Sequence, residues 1–153
     1  MLYYSYGANT NIDNMRGRCP KAKLIGALTL PDYELTFRSV ADIERKVGAH
    51  VEGVLWDITS ECENALDIYE GVASGLYRKE YFPVKAKGNI EDVMFYTMNS
   101  NNYGMPSEHY FNTILQGYFE NELDVNYLYG IYDSLESKIQ KIDKQKLIWS
   151  YKW

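Results

Sequence analysis

Glu70 is the residue whose type and position in this chain point most directly to chemistry. It follows a stretch that opens with Ser60 and Glu63 in the Ser-x-x-Glu spacing of a capping box, which predicts a helix carrying Cys62, Ala65, Leu66 and Tyr69 on one face. Gly71, directly after it, is a natural left-handed stop. A carboxylate at the C-terminal end of a helix faces unpaired carbonyls and partial negative charge, and here it also lies beside an apolar stripe. Both disfavour the charged form, so the Glu70 pKa is expected above the reference of about 4.3. A carboxyl tuned toward neutrality can take a proton and return it, which is general acid/base work. The same position also suits a glutamate that reaches solvent or pairs with Arg78 or Lys79, and patterning alone leaves both readings open.

A second candidate is the stretch "YSYGANTN", residues 4–11. A strand that stops at Gly7 and opens into a small polar turn can present successive backbone N–H groups to an anion, as a nest does. Any strand exit through a glycine shares this pattern, so it gains weight only in company. Other chemistries are poorly supplied. His50 falls in a strand pattern and His109 in a helix pattern, neither with cysteine or carboxylate neighbours at ligand spacing, so both read as structural or surface residues and no metal site is expected. There is no G-x-S-x-G elbow, phosphate loop or G-x-G-x-x-G fingerprint, and no cofactor is expected. Cys19 beside Arg16 and Arg18 has no paired base and reads as a turn residue.

The elements that must position these groups follow from periodicity. Residues 2–6 read as a short strand, then a helical piece capped by Asn11 or Asp13 and ending at "RGRCP". "AKLIGALTL" reads as a strand up to a turn at Pro31 and Asp32, and "YELTFR" alternates as a half-buried strand does. The polar run 39–46, "SVADIERK", reads as a loop. "GAHVEGVLWDI" is another strand, with Gly53 marking a bulge or a close backbone approach. After the 60–70 helix come strands around "YRKEYFPVKA" and "EDVMFYTM", the first demoted to an edge or a bulge by Pro83. Ser107 starts a helix with Tyr110, Phe111, Ile114, Leu115 and Tyr118 at core spacing, and Asp124 caps another with Leu128, Ile131, Tyr132, Leu135 and Ile139 inward. The tail "KLIWSYKW" alternates Leu147, Trp149, Tyr151 and Trp153 and reads as a strand with one aromatic face. It is expected to pack on its own sheet, with a weak homodimer contact as the second reading. Strands first and helices last make the fold class α+β: a small curved sheet or barrel flanked by helices, as a single domain over residues 1–153 with the tail 139–153 unassigned.

At 153 residues, 46% hydrophobic and 24% charged, the chain is large enough to bury a core without staples. A net charge of −5 without a basic block argues against nucleic acid as a partner. No run approaches the roughly 20 apolar residues of a membrane span, and the N-terminus has no basic leader. Cys19 and Cys62 cannot form a disulfide framework and read as two reduced thiols, so a cytoplasmic location is expected.

Taken in order, these segments carry a resemblance. "YGAN" resembles the Tyr-Gly-Ser-Asn loop that opens the γ-glutamylcyclotransferase family, which includes the AIG2-like proteins. The similarity continues through "RCPKAKLIGALTLPDYELTF", "GAHVEGVLWDIT", "LDIYEGVASGLY" and "PSEHYFNTILQGYFENELDVNYL". It implies a small β-barrel with a pocket at its mouth and a metal-independent enzyme that cyclises a γ-glutamyl group to 5-oxoproline, releasing an amine. It implies Glu70 as the catalytic acid/base, Tyr6, Gly7, Ala8 and Asn9 as the substrate-binding loop, and Tyr77 and Tyr110 as pocket walls. The alternative is a binding or regulatory module that keeps the pocket without turnover. Ala8 departs from the family's serine, which removes a hydroxyl but leaves the backbone N–H.

Overall fold

The computed structural model describes residues 1–86 and 88–151. The chain builds a five-stranded mixed sheet from β1 (Leu2–Ser5), β2 (Lys23–Arg38), β3 (Val40–Asp57), β4 (Tyr77–Ala86) and β5 (Asn89–Met98). Their order is β2-β3-β1-β5-β4, with β1 antiparallel to β3 and parallel to β5. Among the described residues four α-helices accompany it: α1 (Ile12–Arg18), α2 (Ser60–Tyr69), α3 (Glu108–Glu120) and α4 (Val125–Tyr151). The α+β expectation holds, but the sheet is curved and open rather than a closed barrel, with β2 and β4 as its edges. Pro83 lies in edge strand β4, where a missing N–H costs no ladder bond on the outer side.

Local chemistry accounts for most boundaries. Asn11 caps α1 by accepting from the Asn14 N–H at 3.0 Å, and Ser107 caps α3 by accepting from the Tyr110 N–H at 3.2 Å. The Asp124 carboxylate accepts from the Asn126 N–H at the start of α4. For α2 the cap is one residue earlier than the Ser60–Glu63 box predicts. Thr59 accepts from the Cys62 N–H, and Glu63 is drawn instead into an ion pair with Lys79 at 2.6 Å.

Three expectations are corrected. Residues 39–46 are not a loop: β3 begins at Val40, paired with Arg38 across a turn at Ser39, whose φ is 70°. The run looks polar because its charges serve one another: Arg38 Nε donates to the buried Asp42 carboxylate at 2.7 Å and Arg38 Nη2 to Glu44 at 3.2 Å. Pro31 and Asp32 do not end a strand either; they form an irregularity within β2. The tail is helical as far as Tyr151, continuous with α4, and Trp153 lies outside the described residues. No glycine or proline after Gly130 stops that helix, and Leu147, Ile148 and Tyr151 are exposed, so no sheet face claims their alternation.

The cysteines are also corrected. Cys19 and Cys62 form a disulfide joining the C-terminus of α1 to α2. Sequence separation of 43 residues hid the pairing, and with it goes one ground for expecting a reducing compartment. No helix among the described residues is long and apolar enough to cross a membrane.

The core lies between the sheet and the helices, with Tyr4, Phe37, Val51, Phe95, Leu66, Ile114, Tyr118 and Leu128 fully buried. Two glycines allow close approaches. A Cβ at Gly53 would overlap the Tyr4 ring and the Ser5 carbonyl, and one at Gly117 of α3 would overlap Thr10.

Candidate functional site

A cavity of about 170 Å³ opens where the end of β1, the end of α2 and the start of α3 converge. Tyr6, Gly7, Ala8, Asn9, Glu70, Tyr77 and Tyr110 all line it, so the structure brings every candidate site residue to one place. It also supplies Tyr3, Val40, Ala41, Tyr69, Leu76 and Tyr96, which sequence reasoning missed. The strand alternation of β1 and β5 was visible, but which face borders a cavity depends on pairing across 90 residues of chain.

The loop after β1 is fixed from every side. After Gly7 the chain makes a 3-10 turn, Ala8–Thr10, in which the Gly7 carbonyl accepts from the Thr10 N–H and hydroxyl. The Asn9 carbonyl accepts from Ser5 Oγ at 3.1 Å and from the buried indole N–H of Trp56 at 3.2 Å. From α3, Asn121 donates to the Thr10 carbonyl, and Asn11 donates back to the Thr113 carbonyl. The N–H groups of Gly7, Ala8 and Asn9 donate to no protein acceptor among the described residues. These three residues line the cavity, and adjacent uncommitted N–H groups suit a bound oxyanion or carbonyl.

Glu70 is the C-cap of α2, with φ −80° and ψ −2°, and its N–H still donates to the Leu66 carbonyl. Gly71 then turns with φ 62° and the Leu76 N–H returns to the Gly71 carbonyl, which closes a compact loop before β4. Neither solvent-facing partner takes the carboxylate: Arg78 pairs with Glu80, and Lys79 with Glu63 and Asp67. Glu70 accepts no protein hydrogen bond among the described residues. Burial pushes its pKa from 4.5 up to about 7, opposed by the charge of Arg18.

The two tyrosine walls differ in what they have left to offer. Tyr77 donates its hydroxyl to the Ala41 carbonyl at 2.6 Å, so its proton is committed. Tyr110 accepts from the Ala41 N–H at 3.0 Å and keeps its own proton for a ligand. Tyr6 is likewise committed, donating to the Tyr96 carbonyl at 2.5 Å. Burial raises the pKa of both Tyr77 and Tyr110 far above the ordinary range, so both are neutral donors. A Cβ at Gly7 would lie 2.9 Å from the Ala41 Cβ and 3.5 Å from the Tyr110 hydroxyl. The glycine therefore lets the loop approach Ala41 and Tyr110 closely.

His50 and His109 are exposed and do not line this cavity. No group of three or more histidine, cysteine or acidic side chains among the described residues could hold a metal ion.

The comparisons with known proteins place this open α+β sheet in a class. Residues 50–131 match the AIG2-like family. Human γ-glutamylcyclotransferase is 30% identical over 139 residues, covering 82% of this chain and 74% of the human protein. The bovine γ-glutamylcyclotransferase is 29% identical over the same shares. A solved structure of a γ-glutamyl cyclotransferase superposes with a TM-score of 0.76 at 26% identity, covering 92% of this chain and 98% of that one. The chain belongs to the γ-glutamylcyclotransferase, AIG2-like family.

Proposed function

We propose that the protein is a γ-glutamylcyclotransferase-type enzyme. The observation that carries this reading is Glu70: a carboxyl without a protein hydrogen bond among the described residues, its pKa raised to about 7, lining the same small cavity as Gly7, Ala8 and Asn9, whose N–H groups are uncommitted. The substrate folds so that its own α-amine faces its γ-carbonyl carbon. Glu70 accepts a proton from the amine, the new C–N bond closes the five-membered ring, and the carbonyl oxygen becomes an oxyanion held by N–H groups of Gly7 to Asn9. Collapse of that intermediate breaks the original C–N bond, and Glu70 returns the proton to the leaving amine. The products are 5-oxoproline and a free amine or amino acid. Nucleophile and electrophile share one molecule, so holding the folded conformer supplies much of the acceleration.

Tyr110 is the wall residue suited to donate to the substrate, because its proton is free. Tyr77 acts through Ala41, fixing the strand behind the cavity. No step in this scheme calls for a metal or a cofactor. A weak homodimer completes the reading, while the Cys19–Cys62 bond, which a reducing compartment would oppose, removes the cysteine ground for a cytoplasmic location.

The test is direct. Incubation with a panel of γ-glutamyl amino acids and γ-glutamyl amines should release 5-oxoproline from at least one member, and Glu70→Gln should lower that rate by about 10² to 10⁴. A protein that binds such compounds in the cavity without product would be the regulatory module instead.

A further inference from the structure

We propose that Arg18 is a positioning residue of this site: from outside the cavity it locks Asn9 and Tyr69 and presents the positive charge that keeps Glu70 usable as a base. The inference rests on the general-base reading of Glu70 given above.

Arg18 is the last residue of α1, where a cation is favoured by the helix dipole. Its Nη1 donates to the Asn9 side-chain oxygen at 2.6 Å, and the Asn9 amide nitrogen in turn donates to the Tyr3 hydroxyl at 3.0 Å. The guanidinium carbon lies 3.4 Å from the centre of the Tyr69 ring, a stacked cation–π contact. Tyr69 directly precedes Glu70. One guanidinium therefore joins the N–H loop to the carboxyl-bearing end of α2. The next residue, Cys19, is bonded to Cys62 of α2, so the helix carrying the arginine is tethered to the helix carrying the glutamate.

The surroundings of Glu70 explain why a charge is needed there. Tyr3 from β1, Tyr6 from the loop, Tyr77 from β4, Tyr96 from β5 and Tyr110 from α3 all lie within electrostatic reach of it, and burial keeps all five neutral. Arg18 opposes the desolvation of Glu70. Without it the carboxyl would be neutral over more of the physiological range and would be a base less often.

The experiment compares wild type with Arg18→Met and Arg18→Lys by two readouts: the pH profile of kcat/KM, and the Glu70 titration followed by carboxyl-carbon NMR. Arg18→Met should move the acid limb and the Glu70 titration upward together. The loss should then be at least tenfold near pH 6 and about threefold or less near pH 9. Arg18→Lys, which keeps the charge but not the planar fork or the ring stack, should hold the limb near its wild-type position while raising KM. A loss that is uniform across pH, with the Glu70 titration unmoved, would overturn the proposal and leave Arg18 a packing residue. The NMR readout needs no turnover, so it judges Arg18 even if Glu70→Gln proves active and the general-base reading fails.

Discussion

Glu70 imposes a stability cost whose sign can be worked out. Its folded pKa of about 7 lies above its ordinary 4.5, so between those values the folded chain holds a proton that the unfolded chain has lost. Stability contributed by this group therefore falls as pH rises through that window. Glu70→Gln removes the titration, so its stability relative to wild type should rise with pH and level off above pH 7, by up to about 3 kcal/mol. Denaturant melts at pH 4.5, 6 and 8 measure this, and a difference that is flat with pH would mean the carboxyl is better solvated than its surroundings indicate. At the loop, Gly7→Val should damage cyclotransfer far more than Ala8→Ser. A side chain at Gly7 meets Ala41 and Tyr110, whereas Ala8→Ser leaves every backbone donor in place. Steady-state kinetics on both variants ranks them, and the opposite ranking would mean that the loop works through side chains. Between the walls, Tyr110→Phe should cost more in kcat than Tyr77→Phe, because only Tyr110 has an uncommitted proton.

Among the elements, the contact between α3 and the 3-10 turn holds the loop in place. Gly117 of α3 packs so closely on Thr10 and Asn11 that a Cβ would lie within 2.6 Å of the Asn11 nitrogen. Gly117→Ala should therefore push α3 off the loop, destabilise the fold by about 1–3 kcal/mol, and reduce turnover at a site the residue does not touch. Thermal melts and kinetics on one preparation test both halves. A Gly117→Ala protein as stable and active as wild type would show that the turn yields freely, contrary to the hydrogen bonds from Asn121 and Asn11 that brace it.

At the scale of the whole molecule, the Cys19–Cys62 bond closes a long loop that contains all of β2 and β3. In the loop-entropy model such a crosslink is worth about 4 kcal/mol. A Cys19→Ser, Cys62→Ser double variant should unfold at correspondingly lower denaturant, and alkylation of the wild-type protein before reduction should find both thiols protected. The far end of α4 contributes differently. Leu128 and Leu135 are buried and Ile139 packs on the core, while Leu147, Ile148 and Tyr151 are exposed. If these exposed side chains carry the weak homodimer proposed above, removing residues 141–153 should abolish self-association in sedimentation profiles.

Much of this molecule is decided by local chemistry, and that part was legible in the sequence. The caps at Ser107 and Asp124 and the left-handed stop at Gly71 each follow from what one residue type can do on its own backbone. The choices of Asn11 over Asp13 as a cap, of an edge rather than a bulge for Pro83, and of a close approach for Gly53 were made by the fold from alternatives that local chemistry left open. The ordered motifs from "YGAN" to "PSEHY" identified the family and named Glu70, the loop and both tyrosines before any contact was known. Where sequence reasoning failed, the deciding interactions ran between distant segments or along a helix with nothing to end it. Residues 39–46 are a strand because Arg38 neutralises Asp42 and Glu44 across the hairpin, the tail is helical because no sheet edge receives it, and Cys19 meets Cys62 because α1 and α2 pack together. The contacts of Arg18 were not legible for the same reason. Its type was visible, but its meaning lies in reaching Asn9 and stacking on Tyr69 fifty-one residues away, and only the packed chain brings those three side chains together.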